Sequence, residues 1–206
     1  MTKKIAAGIL AGGPGSRMKG VTKPNILIAG ETILSRTLNT VGGIFDEIIL
    51  VTNKPGEFSS YSDCIITSDK YEGIGPLGGI HAALKITTCE TLFILAGDMP
   101  LLSTELIMKQ LSLFEELNCD ILVPKTGTFL EPLHSVYKWD VLKRLETYLN
   151  QKGSNAVREF FSKVDTRYME LNESEDIRIV FSNINYPADI HEVEKIVKKD
   201  KDQTIF

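Results

Sequence analysis

The sequence predicts an α/β fold: one domain in three layers, with a mostly parallel central sheet and helices on both of its faces. Three observations lead there. Apolar runs of strand length alternate with segments of helical period along the chain. The run Thr91-Leu92-Phe93-Ile94-Leu95-Ala96-Gly97 is almost continuously apolar, as a strand buried on both faces must be. With 206 residues and 43% hydrophobic content, the chain can bury one good core.

Each element follows from its local pattern. Residues 5–11 read as the first strand, 33–42 as a short helix, 46–52 as the second strand and 64–67 as a third. A glycine-dense loop, Gly73-Ile74-Gly75-Pro76-Leu77-Gly78-Gly79, then opens a helix near 79–86. After the central strand, a helix over 103–117 has Ser103 or Thr104 as N-cap and an apolar stripe of Leu106, Ile107, Gln110, Leu111 and Phe114. Strands at 120–124 and 132–137 can pair across the turn at Gly127. Helices at 138–150 and 154–162, a strand near 166–171, the segment 179–185 and a helix from 187 to 199 complete the reading. The domain is expected to span residues 1–200, with the charged end near 198–202 frayed and 201–206 a tail.

Composition narrows the function. A net charge of −4 argues against a general nucleic-acid or membrane-surface binder, since either needs a basic face. Any anion is therefore held locally. Cys64, Cys89 and Cys119 are far apart, lack C-x-x-C spacing and leave an odd count, so they read as small buried hydrophobes of a reducing compartment. No run approaches the length of a membrane span, and a cytoplasmic protein is expected. The three histidines form neither a triad nor a metal spacing. His81 and His191 are expected on helix surfaces and His134 within a strand, all in structural roles.

The first strand runs into Leu10-Ala11-Gly12-Gly13-Pro14-Gly15-Ser16-Arg17-Met18, with Lys23 beyond it. Glycines at 12, 13 and 15 let backbone N–H groups converge on phosphate oxygens, and Arg17 and Lys23 add positive charge. Two familiar phosphate motifs are excluded. A P-loop requires Gly-Lys, which occurs nowhere in the chain. The dinucleotide fingerprint would put Met18 where a glycine or alanine must sit, and the second strand ends at Asn53 rather than at an acid.

In open α/β sheets, ligands sit beyond the carboxyl ends of the strands. The glycine turn, Asn53, Asp69 and Asp98 all fall at such ends. Asp98 lies between an apolar strand and Pro100, so rigid backbone anchors its carboxylate. Mg²⁺ takes one or two carboxylates and completes its shell with water and phosphate oxygens. Asp98 could instead cap the next helix, but Ser103 and Thr104 are better placed. A magnesium carboxylate facing a glycine cradle with Arg17 and Lys23 points to nucleotidyl transfer, in which an acceptor phosphate attacks the α-phosphorus of a nucleoside triphosphate and pyrophosphate leaves. Such chemistry is positioning and charge neutralisation, so no nucleophilic side chain is required.

The segments Leu10-Ala11-Gly12-Gly13-x-x-Ser16-Arg17-Met18, Lys23, Gly75-Pro76-Leu77-Gly78-Gly79-Ile80, Gly97-Asp98-Met99-Pro100 and Asn183-Ile184-Asn185-x-Pro187-x-Asp189 resemble the molybdenum cofactor guanylyltransferase family. They span nearly the whole chain in the family's order, and the Asn-Ile-Asn-x-Pro element is the most restricted of them. The resemblance implies a Rossmann-like nucleotidyltransferase fold, with a nucleotide-binding half over about 1–100 and an acceptor-binding half over about 101–200. It implies Mg²⁺-dependent transfer of GMP from GTP to molybdopterin or its metal-loaded form, with cofactor-synthesising and cofactor-receiving proteins as partners. Carried onto this sequence, Leu10, Ala11, Gly12, Gly13, Lys23, Gly75 and Gly78 hold the nucleotide. Asn53 and Asp69 lie near guanine and ribose, and Arg17, Lys23 and Asp98 serve catalysis, with Asp98 as metal ligand. Asn183 and Asn185, across the cleft, receive the acceptor, where an amide offers both donors and acceptors to a pterin edge.

Three departures bear on substrate choice. The family reads Arg-Met-Gly-Gly-x-Asp-Lys, whereas this chain has Lys19 for a glycine and Thr22 for the acid. Lys23-Pro24-Asn25 also differs from the usual small or leucine-containing continuation, and its Lys-Pro pair resembles that of sugar-phosphate nucleotidyltransferases. A cytidylyltransferase of the same cofactor, a sugar- or polyol-phosphate nucleotidyltransferase, and a non-catalytic nucleotide or pterin carrier are the alternatives.

Overall fold

The computed structural model describes residues 4–12, 21–71, 73–151 and 155–203. The chain runs β1 (Ile5–Leu10), β2 (Leu27–Ile28), β3 (Glu31–Thr32), α1 (Ile33–Val41), β4 (Glu47–Val51), β5 (Ile65–Thr67), α2 (Pro76–Ile86) and β6 (Thr91–Ala96). It continues through α3 (Thr104–Leu117), β7 (Ile121–Thr126), β8 (Phe129–Leu130), β9 (His134–Lys138), α4 (Val141–Asn150), α5 (Val157–Phe161), β10 (Thr166–Leu171), α6 (Glu175–Val180) and α7 (Pro187–Gln203). Strand order in the main sheet is β10-β7-β9-β6-β1-β4-β5, with β8 added to β7. β1 pairs in parallel with both β4 and β6, while β9 runs antiparallel between β6 and β7. The mostly parallel sheet is therefore as expected, interrupted by β9, and β7 and β8 pair antiparallel across the Gly127 turn.

Side-chain alternation along the central strands builds the three layers. Leu92 and Ile94 of β6 join Leu77, Ile80 and Leu84 of α2, Leu145 of α4 and Phe160 of α5 in one core. Phe93 and Leu95 point the other way, into a core with Leu34 of α1 and Ile107, Leu111 and Phe114 of α3. Each such side chain contributes on the order of 2 kcal/mol on burial. Ser103 caps α3 as expected, its hydroxyl accepting from Leu106 N–H at 3.2 Å. A third, smaller core of Ile26, Ile28, Ile33, Ile184, Val193 and Val197 fastens α7 to the β2–β3 hairpin.

Some readings need correction. α2 begins at Pro76 rather than near 79, because proline is preorganised for the first helical position, where no N–H is needed. α7 continues through Gln203, past the end near 199 expected for it. His81 is buried rather than on a helix surface, with its Nε2 3.2 Å from Glu146 Oε1 and its ring edge-on to Tyr71. The β2–β3 hairpin, a 3₁₀ turn over Pro55–Phe58 and α6 were not anticipated. Two-residue strands show no period, and α6 is only six residues long with none of them fully buried, too short for a helical pattern to stand out.

Candidate nucleotide site

The carboxyl ends of β1, β4, β5 and β6 surround a cavity of about 710 Å³, within the range of small-molecule sites. Leu10, Ala11, Gly12, Lys23, Asn53, Asp69, Gly75 and Asp98 all line it. Gly13 and Arg17 lie outside the described residues. Gly78, expected among the nucleotide residues, is not among those that line the cavity.

Close backbone approach shapes the floor. Gly97 N–H donates to Leu10 O at 3.0 Å, and Ala11 N–H donates to Val51 O at 2.9 Å, which ties the exits of β1, β4 and β6 together. A Cβ on Gly97 would stand 2.8 Å from Leu10 O and 2.9 Å from Pro24 Cγ, so only glycine permits this packing. Pro24 is buried in a 3₁₀ turn over Lys23–Asn25 and fixes the backbone from which Lys23 projects.

Lys23 Nζ donates to Asp98 Oδ2 at 2.7 Å and to Asn185 Oδ1 at 2.8 Å, joining the β1 exit, the β6 exit and the segment before α7. The Lys23 and Asp98 side chains are 27% and 22% exposed, enough to meet a ligand and shielded enough for their charges to matter. Asn185 thus meets Lys23, one of the expected nucleotide residues, through its side chain. Asn183 is exposed, and its Nδ2 donates to Phe181 O at 3.3 Å. The motif around them is a mechanical device. Asp189 Oδ2 accepts from Asn185 N–H at 2.7 Å and Tyr186 N–H at 2.8 Å, Ile184 is fully buried, and Ile184 N–H donates to Asp98 O at 3.0 Å. Asp189, in the first turn of α7, thus holds the asparagine segment onto the end of β6.

On the opposite wall, Asn53 Oδ1 accepts from Asp69 N–H at 3.3 Å, and Asp69 Oδ1 accepts from Tyr71 N–H at 2.7 Å. The Asp69 carboxylate rests on the first turn of α2 where a Cβ on Gly78 would overlap it. Gly78 thereby lets an acid sit at a helix N-terminus, where negative charge is favoured. Gly75 enters α2 at φ 71°, a conformation that favours glycine.

Thr22, Lys54 and Glu57 form a cluster that motif matching passed over. The Thr22 hydroxyl donates to Glu57 Oε2, Lys54 Nζ lies 3.0 Å from Glu57 Oε1, and Lys54 Nζ also donates to Thr22 Oγ1 at 3.3 Å. The Thr22 hydroxyl, with Lys54, holds the Glu57 carboxyl below its ordinary range. A carboxylate thus stands beside position 22 although the residue there is a threonine. The available signal was the position of Lys54, next to Asn53 at a strand end.

The donor set suits Mg²⁺. Asp98 presents hard carboxylate oxygen at the cavity and already holds a cation, the Lys23 ammonium, on Oδ2. Among the described residues no group of three or more His, Cys, Asp and Glu could hold a metal by itself.

Comparison with known proteins agrees with this geometry. Residues 7–167 match the MobA-like NTP transferase domain. The chain is 31% identical to a protein of Natranaerobius thermophilus named "Probable molybdenum cofactor guanylyltransferase", over 97% of this chain and 99% of that one. It is 29% identical to the molybdenum cofactor guanylyltransferase of Desulfosudis oleivorans, over 92% and 94% of the two chains. The crystal structure of molybdopterin-guanine dinucleotide biosynthesis protein A from Archaeoglobus fulgidus superimposes with a TM-score of 0.78 at 27% identity, covering 95% of this chain and 99% of that one. The chain belongs to the molybdenum cofactor guanylyltransferase family, a nucleotidyltransferase family with the MobA-like NTP transferase domain.

Proposed function

We propose that the protein transfers GMP from GTP to molybdopterin, or to its metal-loaded form, with release of pyrophosphate. The observation that carries this reading is the Lys23 ammonium, bonded at once to the strand-end acid Asp98 and to Asn185 at the mouth of the cavity. One cation there faces both the phosphates of a nucleotide and the segment assigned to the acceptor. An acceptor phosphate oxygen attacks the α-phosphorus, the bond to the β-phosphate breaks, and pyrophosphate takes the electron pair. Leu10, Ala11, Gly12 and Gly75 shape the cradle, with Gly13 and Arg17 belonging to the same motif. Asn53 and Asp69 read the base and ribose; a carboxylate suits the N–H donors of guanine N1 and N2. Asp98 would hold Mg²⁺, whose chemistry is neutralisation of phosphate charge. Asn183 and Asn185 orient the pterin.

The reading extends to proteins that synthesise and receive the cofactor. Its cytoplasmic setting is supported by free Cys64, Cys89 and Cys119. Among the described residues no helix is long and apolar enough to cross a membrane. The test is pyrophosphate release by the purified protein with Mg²⁺, GTP or CTP, and molybdopterin carried on its synthesising partner. Release with GTP alone is expected. Release with CTP would keep the reaction and change the base, and silence with both would move the acceptor elsewhere.

A further inference from the structure

Lys54 crosses the rim of the cavity. Its backbone follows Asn53 beyond the end of β4, and its ammonium reaches Thr22 Oγ1, one residue before Lys23 in the chain. Glu57 accepts from Thr22, Lys54 and Asn25, the last through Nδ2 at 3.3 Å. Its own backbone is fixed because the next residue, Phe58, is fully buried. The Lys54 and Glu57 side chains are 55% and 38% exposed, so their ion pair adds little to stability. What the network does is place an ammonium.

Charge balance gives that placement a purpose. Among the described residues that line the cavity, Lys23 and Lys54 are the cations, and Asp69 and Asp98 oppose them. A triphosphate carries more negative charge than Lys23, shared with Asp98, offsets by itself, and Lys54, paired with Glu57 at the rim, is the other cation among those lining residues. We propose that Lys54 is a second phosphate-binding residue of the cleft, held by Thr22 and Glu57 on the side where Lys23 meets the nucleotide. This deepens the nucleoside triphosphate reading of the cavity and rests on it. A contact to phosphate rather than to the base has a distinct signature, since its effect must scale with the number of phosphates.

The experiment is titration calorimetry of the full chain in Mg²⁺ with GTP, GDP, GMP and guanosine, and with CTP, alongside thermal unfolding. Lys54→Met is expected to weaken GTP about tenfold, the scale of one charge-assisted hydrogen bond. GMP should weaken less than about twofold and guanosine not at all, with the unfolding temperature unchanged; Lys54→Arg should restore most of the GTP affinity. Thr22→Val should weaken GTP by about threefold in the parent and have no further effect beside Lys54→Met, because the hydroxyl acts through the lysine. An equal loss for GTP, GMP and guanosine, or no loss for GTP, would overturn the assignment while leaving the nucleotide reading intact. A parent chain that binds no triphosphate overturns both. A parent that prefers CTP, with the same dependence on phosphate number, changes the base and keeps Lys54 in its role.

Discussion

Lys23 and Asn185, 162 residues apart in the chain, are joined by a 2.8 Å hydrogen bond from the lysine ammonium to the asparagine carbonyl oxygen. The bond links the nucleotide wall of the cleft to the segment that reads as the acceptor wall. Segments near opposite ends of the chain are thus neighbours at the cavity, and a ligand that draws Lys23 also alters what Asn185 presents.

Substitution of Asp98 should separate chemistry from folding. Asp98→Asn removes the charge that pairs with Lys23 but keeps the shape, and the carboxylate is partly exposed at the strand end. Turnover should fall by about a thousandfold or more, as for loss of a preorganised charge at a transferring phosphoryl group. The unfolding free energy should change by no more than about 1 kcal/mol. Pyrophosphate release and thermal unfolding read the two effects, and full activity would remove Asp98 from the mechanism.

Gly78→Ala tests the seat of Asp69. The added methyl overlaps the carboxylate and must push it away from Tyr71 N–H. Alanine is the better helix former by about 1 kcal/mol, which offsets any loss of stability. The expected result is a KM for GTP raised about tenfold with the melting temperature nearly unchanged, the tenfold rise corresponding to one lost hydrogen bond. An unaltered KM would mean that Asp69 does not touch the nucleotide.

Asp189→Ala should loosen the acceptor segment. Two backbone N–H groups, those of Asn185 and Tyr186, lose their acceptor, at a cost of about 1–2 kcal/mol. Because Asn185 is held in place by this cap, KM for the acceptor should rise more than KM for GTP. Steady-state kinetics with each substrate varied in turn, together with thermal unfolding, would reveal whether the two effects travel together.

Stability should depend on pH through His134. The ring is fully buried, edge-on to Phe93 and Phe181, with Nδ1 3.0 Å from Gln110 Oε1. Gln110 Nε2 donates to the carbonyls of Leu122 and His134, so its Oε1 accepts and the ring proton is assigned to Nδ1. Burial pushes the His134 pKa down to about 4 from an ordinary 6.5. Between those values the unfolded chain takes up a proton that the folded chain refuses. Stability is full above pH 6.5 and falls toward pH 4, by about 3 kcal/mol in all. Denaturant melts across that range should show the slope, and His134→Gln should flatten it whatever it costs at neutral pH. The carboxylates of Glu47 and Asp120, whose pKa values are lowered in the fold, add their losses only in more acidic solution. Glu47 is held down by hydrogen bonds from Thr88 and Thr87, which outweigh its desolvation, and Asp120 chiefly by Arg144.

Strand periodicity, the nearly continuous apolar β6, the N-cap of α3 and the strand-end positions of the glycine turn, Asn53, Asp69 and Asp98 were legible in the sequence. Each depends on residues close together in the chain. Pattern and turn chemistry are local, so they survive being read in one dimension. The tertiary structure alone decided that Lys23 bonds Asp98, 75 residues away, and Asn185, 162 away. It also decided that Glu57 supplies the carboxylate beside Thr22, that the Asp69 carboxylate packs against Gly78, and that His81 is buried. Those relationships depend on strand order and on which loop ends share a sheet edge, and nothing in the spacing of polar residues encodes that order. Candidate groups were readable residue by residue, while the pairing of charges awaited the fold that brings strand ends together.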